Sequence, residues 1–301
     1  MEASKEEGEE QSLSDREEEG EEALIAELGE LDLRRKEGDA QPESARVEDR
    51  PSLNAVEEIL RYQFNDKRLL EEALTHYSFA GKSFCYERLE YVGDSVLNLL
   101  FAKELYLLYP DLAPGSLTRL RAANVDTEKL ARVAIKLGLH PYLRHRKPVL
   151  GEQIQEFKRD ILDYPLHSSG LIDVPKSLAD IVESIIGAVF IDCNFSADTV
   201  WKVFKSLLEP MISPTTFTLH PVSELYELCQ KKCVKLRFVD LWSESSSFIV
   251  FANDRLVGRG ACIPKKEIAL NRAAKDALQN IERLLGDKES NGQIDSELKK
   301  P

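Results

Sequence analysis

From residue 54 to about residue 210, apolar positions recur three or four residues apart with polar residues between them, the spacing of helices with one buried face. The pattern predicts helices over Val56–Phe64, Lys67–Tyr77, Leu89–Leu108, Gly115–Asn124, Thr127–Leu137, Ile181–Asp192 and Val200–Leu208. Asn54 and Asp66 stand where the first two helices need a cap, Pro110 and Gly138 stop later ones, and a loop is expected around His140–Lys147. Nothing in this stretch alternates as a strand does, so it reads as one all-helical domain.

Pro210–Thr218 holds two prolines and several hydroxyl residues and reads as a linker. Beyond it the periodicity changes. A helix over Val222–Lys232 is followed by three runs rich in aromatic and β-branched residues, Lys235–Trp242, Phe248–Ala252 and Leu256–Ile263. A long helix, Lys265–Leu285, then carries Ala269, Ala273, Ala274, Ala277 and Leu278 on one stripe. The expected fold class is thus multidomain, an all-α unit followed by an α-β-β-β-α unit. The expected boundaries are 1–50 for a disordered tail, 53–212 for the helical domain, 219–286 for the mixed domain and 287–301 for a second disordered tail.

Charge sharpens the first boundary. The chain of 301 residues has a net charge of −13, yet residues 1–50 alone hold 19 acidic and 7 basic side chains. The remainder is nearly neutral, with 34 acidic and 33 basic side chains. The tail has no aromatic residue and too little apolar surface to offset the entropy of ordering. Ala23–Leu33 is a candidate for a short amphipathic helix formed on a protein partner; a solvated charged tail is the simpler expectation. No apolar run reaches membrane-spanning length, and the acidic start is unlike a targeting peptide. The expected location is the nucleus, the cytoplasm or both, with no membrane partner. Arg34-Arg35-Lys36 and Arg144-His145-Arg146-Lys147 are short basic clusters of the import-signal kind. Cys85, Cys193, Cys229, Cys233 and Cys262 form no disulfide framework. Cys229 and Cys233, four apart on a predicted helix, read as small buried or half-buried side chains rather than zinc ligands.

Candidate chemistry lies in two apolar helices that carry too many acids. ERLEYVGDSVL, residues 87–97, contains Glu87, Glu90 and Asp94, and at 3.6 residues per turn Glu90 and Asp94 are only about 40° apart. KSLADIVESIIGAVFID, residues 176–192, places Asp180 and Glu183 three apart on one face. An unpaired buried charge is costly, so these acids need partners. One answer is nearby bases such as Arg88, Lys176 or Arg119. The other is a divalent cation held by carboxylates from two facing helices. With oxygen ligands alone, Mg²⁺ or Mn²⁺ is favoured over zinc.

ERLEYVGDSVL closely resembles the signature of the ribonuclease III family of double-stranded-RNA endonucleases. ALTHYSF (73–79), LTRLRAANV (117–125) and KSLADIVESIIGAVFID resemble its other blocks in the same order, and the likeness covers about residues 55–210. By that resemblance Glu90, Asp94, Asp180 and Glu183 match the metal-binding carboxylates, with Asp94 and Glu183 central to catalysis. Glu87 matches a supporting acidic position near the dimer interface. The resemblance implies a homodimer of helical domains that hydrolyses duplex RNA with Mg²⁺, for which Mn²⁺ can substitute. It also implies 5′-phosphate and 3′-hydroxyl products with short 3′ overhangs. Pro114 stands where bacterial members usually have an acid before the glycine, as in Dicer-like members, and this places the chain near the plant ribonuclease-three-like proteins.

Residues 220–285 resemble a double-stranded-RNA-binding domain, with Glu227, Lys265 and Lys266 matching RNA-contacting positions. Two positions depart from that pattern. Ser243–Ser247 lacks the usual loop histidine, and Leu270 stands near a customary third base. The alternative function is a catalytically weak RNA-binding or scaffold protein.

Overall fold

The structure, a computed structural model, describes residues 52–263 and 265–297. Its first helices start where a short polar side chain can take up a free backbone N–H. Helix α1 (Leu53–Leu60) is capped by Ser52, which accepts from the Asn54 amide. Asn54, the expected cap, lies inside the helix and accepts from Lys67 Nζ at 2.8 Å instead. Asp66 caps α2 (Lys67–Ala73) as expected. That helix ends before Tyr77 because the backbone of Leu74 and His76 is taken by Arg144, whose amide donates to Leu74 and whose carbonyl accepts from His76. A single turn, α3 (Tyr77–Ala80), follows with His76 as its cap.

Helices α4 (Glu87–Leu108), α5 (Pro114–Asn124) and α6 (Thr127–Lys136) lie within two residues of expectation. Helix α7 (Leu150–Asp160), which buries Leu150, Ile154 and Phe157, was not foreseen. Helix α8 (Lys176–Asp192) starts five residues before Ile181, and α9 (Ala197–Phe204) is capped by Ser196.

The core is built on α8, which is buried on nearly every side. Leu97 and Phe101 of α4, Leu130 and Ala134 of α6, and Ile181 and Ile185 of α8 are fully enclosed. The α4–α8 crossing is tight because Gly93 and Gly187 meet there. A Cβ on Gly93 would overlap the Glu183 carbonyl, and one on Gly187 the Leu89 carbonyl.

The second part contains α10 (Pro221–Lys231), β1 (Leu236–Leu241), the short α11 (Trp242–Ser245), β2 (Ser247–Ala252), β3 (Arg255–Ala261) and α12 (Lys266–Glu297). The strands form one antiparallel sheet in the order β1-β2-β3, with Phe238 opposite Val250 and Ile249 opposite Arg259. Alternation along β2 buries Phe248, Val250 and Ala252 against Leu225 and Cys229 of α10 and the alanine stripe of α12. The expected loop Ser243–Ser247 is in part the helical turn α11. Helix α12 continues past 286 to Glu297, into the stretch expected to be a disordered tail; no proline interrupts residues 266–297. All five cysteines are free, and Cys233 is exposed, unlike the buried or half-buried side chain expected for it. It follows α10 in a left-handed turn. The acidic tail and its candidate helix Ala23–Leu33 lie outside the described residues. Among the described residues, no helix is long and apolar enough to cross a membrane.

Candidate active site

The α4–α8 crossing brings the two acidic pairs to one cleft. Glu87, Glu90, Tyr91 and Asp94 line it from α4, Lys176, Ala179, Asp180 and Glu183 from α8, and Thr127 from α6. Carboxylate oxygens of Glu90, Asp180 and Glu183 all lie within 4.8 Å of one another. Asp94 lines the same cleft but is not in that set. Its Oδ1 accepts from Asn98 Nδ2 at 2.8 Å, and Asn98 Oδ1 accepts from Arg121 of α5 at 2.7 Å. Glu87 is exposed at the rim.

One base enters the cluster. Lys176 Nζ lies 2.8 Å from Glu90 Oε1 and also binds Asp180 Oδ1. Burial works against its charge, yet the hydrogen bonds to Asp180 and Glu90 prevail and push its pKa up. Tyr86 donates to the other oxygen of Asp180, Oδ2, at 3.0 Å. Glu183 is pushed up to about 8, first by burial and then by Asp94, Asp180 and Glu90; Lys176 opposes this only in part. Of the bases considered as simple partners, Arg119 goes elsewhere, to Glu227 at 3.6 Å. One lysine therefore shares two acids and leaves Glu183 short of positive charge. All the donors are oxygens, and they converge, so the residues fit a hard divalent cation.

None of the positions matched to RNA contact lines the acidic cleft, although Lys265 shares a smaller pocket with Lys176. Lys265 Nζ lies 2.5 Å from Asp173 Oδ1. Lys266 Nζ lies 2.6 Å from Asp240 Oδ2 and above the Phe248 ring. All three side chains, Glu227 included, remain 40% exposed or more. The two parts of the chain also meet through Arg272, which donates to the Leu171 carbonyl, and Asn271, which donates to that of Gly170. A second cavity of about 380 Å³ lies beside Arg119, Asp126, His167 and Glu227 and shares no lining residue with the acidic cleft.

Sequence reading missed Tyr86, Asn98 and Arg121 and took Lys176 only as a possible neutralising partner. The four-residue spacings Asp94/Asn98 and Lys176/Asp180 carried a signal; Tyr86 and Arg121 carried none.

Comparison with known proteins gives a consistent picture. The ribonuclease III domain family matches residues 87–194. The chain is 51% identical over 236 residues to "Ribonuclease 3-like protein 3" of Oryza sativa subsp. japonica, covering 77% of this chain and 79% of that protein. It is 46% identical over 235 residues to "Ribonuclease 3-like protein 2" of the same organism, covering 75% and 74%. It is 44% identical over 231 residues to "Endoribonuclease Dicer homolog 1" of Arabidopsis thaliana, covering 74% of this chain but 12% of that protein.

Proposed function

Because the chain belongs to the ribonuclease III family, we propose that it is a Mg²⁺-dependent endoribonuclease specific for double-stranded RNA, with Mn²⁺ able to substitute. One observation carries the metal reading: three carboxylates converge within 4.8 Å, and the carboxyl of Glu183 is held up near 8 by burial and its neighbours. Acids this close need protons or a cation between them. Glu90, Asp180 and Glu183 would hold the cation, with Asp94 beside them. Once bound, it supplies a Lewis acid that activates water and offsets charge developing on phosphate.

The chain's own residues prepare the site. Lys176 balances two acids while its side chain stays 69% exposed at the cleft mouth, where a phosphodiester would enter. Asn98, itself held by Arg121, fixes the Asp94 carboxylate. Hydrolysis by water breaks the P–O3′ bond, leaves a 5′-phosphate and a 3′-hydroxyl, and does not use the RNA's 2′-hydroxyl. A homodimer would cut both strands and leave short 3′ overhangs. Support for association comes from Tyr91, Leu99 and Tyr106 of α4, each more than half exposed.

Residues 53–212 would form the catalytic domain and 219–286 a double-stranded-RNA-binding domain, a reading supported by the order α10-β1-β2-β3-α12. Such a module follows A-form shape rather than sequence. Glu227, Lys265 and Lys266 would contact RNA by exchanging their ion pairs with Arg119, Asp173 and Asp240.

The test is cleavage of long duplex RNA by the full chain. Cutting should begin on addition of Mg²⁺ and fail with Ca²⁺, whose larger radius and looser geometry suit binding better than turnover. Undiminished cutting in excess chelator contradicts the proposal.

A further inference from the structure

Asp180 is the most enclosed acid of the cluster, with 5% of the residue exposed. Its two oxygens have different partners. Oδ1 faces Lys176, which it shares with Glu90. Oδ2 accepts from the Tyr86 phenol at 3.0 Å. A buried phenol needs a polar partner, and here that partner is one oxygen of the carboxylate.

Tyr86 is itself held on several sides. It is 3% exposed and sits immediately before α4. Its amide donates to the Thr75 carbonyl at 2.9 Å, and its ring stands edge-on to His76 at 5.6 Å. Ser177, buried on α8, stands beside the phenol and works against the rise in its pKa that burial causes. The phenol therefore cannot follow the carboxylate if Asp180 turns. Two features of the sequence gain a reason from this: Thr75 and His76 back the tyrosine, and of the neighbours Lys176 and Ser177 the first reaches the acid and the second the phenol.

We infer that Tyr86 is a positioning residue that holds Oδ2 of Asp180 and so keeps Oδ1 turned toward Glu90 for a divalent cation. The inference rests on reading the acidic cluster as a metal site. Losing an outer partner of a metal ligand typically weakens metal binding 10- to 100-fold. Tyr86→Phe removes the hydroxyl and keeps the ring.

The experiment compares wild type, Tyr86→Phe and Asp180→Asn as full chains. It measures Mn²⁺ binding by calorimetry without RNA, the Mg²⁺ concentration giving half-maximal cleavage, and the thermal midpoint without metal. Tyr86→Phe should weaken Mn²⁺ binding roughly 10- to 100-fold. The half-maximal Mg²⁺ concentration should rise by a similar factor, and saturating Mg²⁺ should restore most of the rate. Unchanged Mn²⁺ affinity in folded Tyr86→Phe overturns the inference, as does a fall in thermal midpoint with no change in metal affinity. Asp180→Asn separates the two readings: if it binds Mn²⁺ as well as wild type, the metal site itself is wrong. If Tyr86→Phe does not fold, Ser177→Ala keeps the tyrosine and removes the hydroxyl beside it. It should weaken Mn²⁺ binding several-fold, and unchanged affinity again overturns the inference.

Discussion

Gly93 and Glu183 approach so closely across the α4–α8 crossing that a methyl group on the glycine would overlap the Glu183 carbonyl oxygen. The missing side chain is what lets Glu90 and Asp94 on one helix share a cleft with Asp180 and Glu183 on the other. Gly93→Ala must push the helices apart. Overpacking of this kind typically costs about 1–3 kcal/mol, and urea unfolding should show it as a lowered midpoint. The same variant should bind Mn²⁺ more weakly. Gly187→Ala should repeat both effects, because its Cβ would meet the Leu89 carbonyl.

Metal binding should release a proton. Glu183 is pushed up to about 8 by burial, Asp94, Asp180 and Glu90, so below that pH a cation must displace its proton. Affinity should therefore climb as pH rises toward 8 and level off above it, by at most about tenfold per pH unit for one proton. Without metal the sign for stability is opposite. The folded state holds this proton more tightly than the unfolded chain, whose value is 4.5, so this group's contribution falls as pH rises from 4.5 to 8. Calorimetry in two buffers of different ionisation enthalpy measures the proton directly.

His76 should act in the other direction. Burial, then the charges of Lys147 and His145, lower it to about 4 from 6.5. The unfolded state takes up its proton first, so the contribution of this group is complete above 6.5 and lost as pH falls toward 4. Unfolding midpoints in saturating Mg²⁺, which keeps Glu183 ionised, should fall as pH drops from 7 to 4; burial lowers His140 and His145 as well, so the share of His76 is the part of that fall missing in His76→Gln.

Much of this fold was legible because single residues decide it. Asp66 caps α2, the 22-residue apolar pattern of α4 runs unbroken, and the aromatic and β-branched runs became β1 to β3. The acidic pairs were legible because carboxylates in apolar helices violate burial rules unless something pairs them. Other features depended on partners distant in sequence. Arg144 breaks the helix expected to reach Tyr77. Helix α7 shows only three buried residues on a polar background. Tyr86 gains its place from Asp180, 94 residues away, and Lys265 from Asp173. Such pairings have no local signature.

The Lys265–Asp173 ion pair is half exposed on its lysine side, and such pairs contribute about 0–1 kcal/mol. Lys265→Ala should therefore leave stability nearly unchanged. If Lys265 contacts phosphate, the variant should weaken duplex binding alike for all sequences and reduce the slope of log affinity against log salt by about one. Gel shifts at several salt concentrations measure both.

Glu183→Ala removes one of the three converging carboxylates. The variant and wild type are assayed side by side for duplex-RNA binding and for Mg²⁺-dependent cleavage. A metal Lewis acid supplies several kcal/mol of charge stabilisation, so its loss should slow cutting by about 10³-fold or more while the RNA still binds. Cleavage at the wild-type rate would contradict the assignment of the Glu90, Asp180 and Glu183 cluster as the catalytic metal site.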